Sequence, residues 1–448
     1  MNNEIDRRAF VAQSLTAGLG LSAWSAAPWV RSRRAQSDLI RVAVMGVNGR
    51  GLVLARSFAK TGAEVAYICD VDSRAVVSAI AAVSAPRQSG ETAGQVPRTL
   101  PPLQEVRPRG VTDFRQALDD ADVHALAIAA PDHWHAPAAI LALQAGKHVY
   151  VEKPCSHDPH EGELLVEAQR RYGKLVQMGN QQRSAPESIA AIQEIRDGII
   201  GRPYYARTWY ANTRGSIGNG RIAQVPDWLD YELWQGPAPR TAYRDNVVHY
   251  NWHWFRRWGT GEINNNGAHE LDVARWALGV DFPIKVTSAG GRYHFDDDWE
   301  FPDTQVASFD FDGRKTITWE GRSCNGRTVE GRGRGTAIHG TDGTVVIDRS
   351  GYVAYDNDNN EIKRAIRSQR EAALDTSGAG ALTDLHIANF LAAIRGEGTL
   401  RSPIEEGHKS VLLCHLGNIA QRIGHVMNDG EATALWKREY APGWEPTV

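Results

Sequence analysis

Apolar positions between residues 39 and 179 fall in short unbroken runs rather than in strict alternation. "LIRVAVMG" (39–46), "AEVAYICD" (63–70), "VHALAIAAP" (123–131), "KHVYVEKP" (147–154) and "KLVQMG" (174–179) each hold three or more apolar residues and end at a glycine, an acid or a proline. Runs of this kind suit strands covered on both faces, as in a parallel sheet. Helical spacing follows the first strand over residues 50–60 and recurs between the later runs. Strand–helix–strand order predicts a doubly wound α/β domain with right-handed crossovers. Residues 84–110 break the rhythm: proline, glycine and arginine dominate there, and the segment reads as a mobile surface insertion.

Upstream of the first strand the pattern changes. "DRRAFV" (6–11) places twin arginines before a weakly apolar run, residues 9–27, too short and too rich in Gly, Ser and Ala for a membrane span. It resembles a twin-arginine export signal, so residues 1–37 are set apart as signal and linker and the mature chain is expected outside the cytoplasm, as in a periplasm. A chain of 448 residues has room for two or three domains. A net charge of −3 gives no footprint for nucleic acid or an anionic membrane surface. The four cysteines lack CxxC spacing, which supports neither a zinc site nor a disulfide framework.

The turn after the first strand is "GVNGRG" (46–51). It departs from the GxGxxG dinucleotide fingerprint by carrying Asn48 at the second glycine position, a residue that tolerates left-handed backbone. Gly46 is expected to make the tight turn and Gly51 to let helix and strand approach. The amides around Gly49 and Arg50 would face a pyrophosphate. Asp70, ending the second strand, suits the adenosine ribose hydroxyls and repels a 2′-phosphate, favouring NAD; Arg74 nearby leaves NADP open.

"APDHWHAP" (130–137) and "EKP" (152–154) stand at two further strand ends, where such folds line their cofactor crevice. A lysine there is costly unless paired or used. Together with the glycine turn, "MGNQQRS" (178–184), "GTGEINNNGAHELD" (259–272) and "EGHKSVLLCHLGNIA" (406–420), these stretches resemble the glucose–fructose oxidoreductase/inositol dehydrogenase (Gfo/Idh/MocA) family over nearly the whole chain after the signal. The resemblance implies a Rossmann domain, here residues 38–155, and a C-terminal α/β domain, residues 156–448, with a large open, mainly antiparallel sheet that often serves homo-oligomerisation. It implies Lys153 beside the nicotinamide ribose and substrate hydroxyl, and His269 as acid/base. It also points to Glu152 and Asn180 at the cofactor, and to Pro131, His133 and His135 walling the nicotinamide. The family's carboxylate four residues before the histidine is Asn265 here, which can orient a sugar hydroxyl but cannot share a proton. His133 and His135 have no acidic or cysteine partner at metal-ligand spacing. "HYNWHWF" (249–255) offers Trp252 and Trp254 as faces and His253 as a hydrogen-bonding group for a sugar subsite, or alternatively a connector core. Tyr210 is a further pocket candidate. His408 and His415 read as structural.

These expectations add up to oxidation of a secondary hydroxyl of a sugar or glycoside. Export argues for tightly held NAD regenerated within one active site, either by reducing a second sugar or by oxidation, elimination, hydration and re-reduction of one glycoside. The second scheme belongs to NAD-requiring glycosidases such as glycoside hydrolase family 109, whose histidine segment resembles this one in carrying Asn before Gly-x-His-Glu. A non-catalytic, NAD-bound sugar-binding protein is the alternative from another class.

Overall fold

A computed structural model describes residues 39–88, 99–367, 380–424 and 435–448. The proposed export signal, residues 1–37, and part of the insertion, residues 89–98, lie outside the described residues. Among the described residues no helix is long and apolar enough to cross a membrane.

The first sheet takes strands β1 (Arg41–Met45), β2 (Glu64–Cys69), β5 (Arg109–Val111), β6 (Ala125–Ile128), β7 (His148–Val151) and β8 (Val176–Met178) in the order β5-β2-β1-β6-β7-β8. All its pairings are parallel. Order reverses at β1, which opens the crevice where ligands bind in such sheets. Helices α1 (Arg50–Lys60), α2 (Ser73–Ser84), α3 (Asp132–Gln144) and α4 (Pro159–Tyr172) form the crossovers. Two boundaries differ from those read in the sequence. The sheet runs on to β8, past residue 155, because Val149–Val151 pair with Val176–Met178. The chain also returns late: α7 (Ala381–Ile394) packs Phe390 against Phe58 and Tyr150, with ring centroids 6.4 and 5.9 Å apart.

The expected surface insertion is partly built into the domain. Residues 87–88 and 99–100 pair as a short ribbon, β3 and β4. Gln104 is buried; its side chain accepts from Val65 N at 2.9 Å and donates to Val65 O at 3.0 Å. That amide stands in for a backbone partner on the β2 edge, and β5 then pairs with β2 directly.

The second sheet has eight strands: β9 (Pro203–Ala211), β10 (Lys285–Gly291), β11 (Thr304–Phe311), β12 (Lys315–Arg322), β13 (Arg334–Gly340), β14 (Gly343–Asp348), β15 (Gly351–Asp356) and β16 (Glu361–Ile366). Their order is β10-β11-β12-β9-β13-β14-β15-β16, antiparallel except for β12 with β9. Alternation along β11 and β12 buries Ala307, Phe309, Ile317 and Trp319 beneath α6 (Ala268–Leu278) and α8 (Ile404–Ile423), while α5 (Pro186–Arg196) packs on β14 and β15.

Residues 212–261 link β9 to α6 with little regular structure and lie as a strap against the first domain. Asp230 N donates to Val71 O (3.0 Å), Ser73 N to Trp228 O (3.1 Å) and His133 N to Trp258 O (3.2 Å). Tyr231, Trp234, Tyr243, Trp252 and Trp258 give the strap its own apolar core. Many of the tryptophans are thereby used in packing.

Candidate active site

One cavity of about 690 Å³ is lined by the end of β2, the glycine turn and the face of α6, and the strap forms part of its wall. Its size suits a small-molecule site. Gly46, Asn48, Gly49, Arg50 and Asp70 line one end.

The residues at that end fit a dinucleotide. Gly46 has φ +81°, and a Cβ there would stand 2.5 Å from Ala130 N. A Cβ on Gly51 would stand 2.1 Å from Gly46 O, so Gly51 serves close packing rather than the cavity wall. No side chain caps α1, so its first-turn amides would be available to hold a pyrophosphate. Asp70 accepts from Val47 N (2.6 Å) and Asp72 N (2.9 Å), and a carboxylate so placed has further lone pairs for ribose hydroxyls. Arg74 is drawn away: it bonds Asp72 at 2.8 and 3.0 Å and lies 3.5 Å over the Trp228 ring.

At the other end β7 delivers Glu152 and Lys153. Glu152 accepts from Arg50 Nε (2.7 Å) and Gln181 Nε2 (3.0 Å). Burial pushes its carboxyl up, but Arg50 and Lys153 outweigh that and hold it below the usual range. Lys153 Nζ donates to Asn265 O at 2.7 Å and to Asn265 Oδ1 at 3.1 Å. Burial lowers the pKa of this amine, against the pull of Glu152 and Asp132.

The asparagine row forms one π-helical turn, Ile263–Gly267, running straight into α6. Such wide turns are frequent at functional sites. The row sends its three amides three ways: Asn264 inward to His415 Nδ1 (3.4 Å), Asn265 to Lys153 in the cavity, and Asn266 to Glu262 and Arg334. His269, one turn on, lines the cavity, and among the described residues its ring makes no hydrogen bond. Burial, then Arg349, Lys153, Arg334 and Arg50, keep its pKa well below that of free imidazole, so the ring is neutral.

Pro131, His135, Tyr210, Trp252 and His253 also line the cavity. The Trp252 and His253 rings stack with centroids 3.6 Å apart, and burial pushes His253 down to about 3. His135 places Nδ1 2.5 Å from Pro154 O and Nε2 2.7 Å from Ala130 O, tying the two strand ends together.

Three expected residues stand elsewhere. His133 is fully buried with Nε2 3.0 Å from Trp234 O, and it is not among the residues that line the cavity. The DHWH stretch is the first turn of α3, not a free turn, so residues two apart point to opposite sides. Asn180 is buried outside the cavity lining; the 3₁₀ turn Gln181–Ser184 presents Gln181 and Gln182 instead. Trp254 is buried against Trp299, with ring centroids 3.9 Å apart. Sequence reasoning missed Asp132, whose Oδ2 accepts from Thr260 Oγ1 at 2.5 Å and whose pKa burial raises. It also missed Arg214, Arg334 and Arg349, which no motif announced.

With the cavity described, comparison with known proteins places the chain. The model of the oxidoreductase family's NAD-binding Rossmann fold matches residues 40–180, and that of its C-terminal alpha/beta domain matches residues 238–427. The chain belongs to the Gfo/Idh/MocA oxidoreductase family, and its first domain is an NAD-binding Rossmann domain. It is 28% identical over 270 residues to a glycosyl hydrolase family 109 protein of Saccharopolyspora erythraea, covering 54% of this chain and 56% of the relative. It is 26% identical over 168 residues to the levoglucosan dehydrogenase of Pseudarthrobacter phenanthrenivorans, covering 38% of this chain and 36% of the relative. The chain thus spans about half or less of these relatives' length. In fold it is similar to the WlbA dehydrogenase from Bordetella pertussis, solved with NADH and UDP-GlcNAcA, at a TM-score of 0.60 and 20% identity, covering 86% of this chain and 98% of that one.

Proposed function

We propose that the protein is an NAD-dependent oxidoreductase acting on a secondary hydroxyl of a sugar or glycoside, with the cofactor held and recycled in one active site. The observation that carries this reading is the meeting of Lys153, Asn265 and His269 in the same cavity as the glycine turn. Bound NAD supplies the hydride acceptor. Lys153, whose amine burial makes easier to deprotonate, takes the hydroxyl proton at Nζ. His269 holds the same hydroxyl through a ring nitrogen, and Asn265 fixes the lysine by its two oxygens. Trp252 and Tyr210 offer faces and edges to the sugar.

A second reading is net glycoside hydrolysis by oxidation, elimination, hydration and re-reduction. Asn265 favours it, since no carboxylate stands where a plain dehydrogenase of the resembling family has one, and the family 109 relative supports it. The strap, which adds Arg214, Trp234, Tyr250 and Trp252 to the cavity lining and bonds to the first domain, favours retention of the cofactor under either reading. Export through the twin-arginine route and homo-oligomerisation through the open sheet belong to the same proposal.

The test is purification without added cofactor, followed by aryl glycosides and free sugars in D2O. Co-purified nicotinamide and its reduction by a sugar support the oxidoreductase; aglycone release with deuterium next to the anomeric carbon supports the hydrolytic cycle. Sugar affinity without any redox change would identify a binder and end the proposal.

A further inference from the structure

Helix α8 grips the segment that carries Asn265 at three points. Asn418 Nδ2 donates to Thr260 O at 2.8 Å, ahead of the π-helical turn. Gly417 lets helix and turn touch, since a Cβ there would stand 2.7 Å from Ile263 Cδ1. His415 makes the third contact and reaches further: its Nδ1 is 3.4 Å from Asn264 Nδ2, and its Nε2 is 3.2 Å from Ser156 Oγ. Ser156, Asn264 and His415 are all buried, and among the described residues none of the three lines the cavity. Ser156 closely follows Lys153 after β7, and Asn264 immediately precedes Asn265. The two chain segments that meet at the Lys153–Asn265 pair are thus joined a second time, through one imidazole.

We propose that His415 is a positioning residue for the reaction, holding the π-helical turn and the end of β7 at the separation that lets Asn265 grip Lys153. This rests on the reading of Lys153 as the base given above. Burial pushes His415 down to about 3, so its ring is neutral near pH 7 and carries one N–H and one lone pair. Such a ring joins a donor to an acceptor across a fixed width, and losing either end leaves a buried polar group unmatched. The consequence falls on the lysine. Acceptor oxygens favour its charged form, whereas burial favours the neutral one. Lys153 keeps the first influence only while Asn265 O stays at 2.7 Å and Oδ1 at 3.1 Å. Of the other charged groups acting on the amine, Glu152 and Asp132 raise its pKa, and Arg349 and Arg334 lower it. His269 and His253, which line the same cavity, are neutral. A substitution at His415 alters none of these groups, so a shifted lysine reports the turn. His408, two turns earlier on α8, supplies the control: it is buried against α4, where a Cβ on Gly162 would stand 2.3 Å from its Nδ1.

The experiment uses the full-length protein with its bound cofactor and compares the parent with His415→Phe, His415→Gln, Ser156→Ala and His408→Ala. The kcat/KM–pH profile is measured with the sugar that the parent oxidises best. Acetylation of Lys153 by acetic anhydride, followed across pH by peptide mass spectrometry, reads the pKa of the same amine without turnover. In His415→Phe both curves should move to lower pH by about one unit, because the acceptors that favour the charged amine are lost. There kcat should fall about tenfold or more, with KM and cofactor retention little changed. His415→Gln, which keeps a donor and an acceptor, should recover part of the shift, and Ser156→Ala should show a smaller shift in the same direction. His408→Ala should lose stability in urea with both curves in place. Curves that stay or move to higher pH in His415→Phe, or that move equally in His408→Ala, overturn the proposal. Should His415→Phe fail to fold, Ser156→Ala decides. A parent without nicotinamide turnover would end the oxidoreductase reading, and the labelling curves would still show whether His415 sets the amine.

Discussion

Lys153 of the nucleotide-binding sheet and Asn265 of the π-helical turn are joined twice, through the main-chain oxygen at 2.7 Å and through Oδ1 at 3.1 Å. The amine therefore meets a neutral amide where a carboxylate would have kept it charged. Burial is then the dominant influence, and it favours the neutral amine that proton abstraction requires.

Restoring the acid should reverse this. In Asn265→Asp the new carboxylate raises the pKa of Lys153, so the neutral amine forms only at higher pH. The rising limb of the kcat/KM–pH profile should move to higher pH, with activity at neutral pH reduced about tenfold or more. An unmoved limb would show that Lys153 is not the titrating base.

His269→Ala should lower kcat by about a hundredfold to ten-thousandfold while the protein still purifies with nicotinamide bound, because the glycine turn and Asp70, rather than His269, are the residues that fit the dinucleotide. Full turnover in this variant would remove the residue from the chemistry.

His133→Ala should behave in the opposite way. Its ring is fully buried beneath Trp234 and Trp258, and removing it leaves a cavity and an unmatched carbonyl. Urea denaturation should show a loss of ~2–4 kcal/mol, with activity per folded molecule retained.

Asp70→Ser should weaken NAD retention about tenfold and narrow the preference over NADP, since the repulsion of a 2′-phosphate is removed. Competition of the two cofactors for refolded, cofactor-stripped protein measures this directly.

Glu406 supplies a pH test away from the cavity. Burial raises its pKa, but Arg275, Lys409 and Arg183 outweigh that and hold it at about 2 against an ordinary value of 4.5. Its folded pKa is depressed, so the stability it contributes is present above about pH 4.5 and is lost as pH falls towards 2. Glu406→Gln should be less stable than the parent at neutral pH, and the two should converge in denaturation midpoint near pH 2.

Strand ends and their chemistry were legible because a parallel sheet needs long apolar runs, and whatever interrupts them stands at the crevice: Gly46, Asp70, Glu152 and Lys153 all line or shape it. His269 was legible as the lone histidine at the head of an apolar helical pattern. The two histidines of DHWH were not separable without knowing that they lie on a helix, where two positions apart means facing away. Arg334 and Arg349 carry no local signal, since a strand start and a hairpin turn rich in arginine look like ordinary solvated surface. Only the pairing of β13 with β9, and of β14 with β13, brings them into the cavity. Gln104 was hidden for a related reason: its side chain mimics backbone, which composition does not reveal.

The packing of Phe390 on Phe58 and Tyr150 also sets an order of events during synthesis. The nucleotide-binding half leaves the ribosome first, yet its core lacks one wall until α7 has been translated, after every strand of the second sheet. The cavity too takes Leu382 and Thr383 from α7, so its lining is complete only in the nearly finished chain.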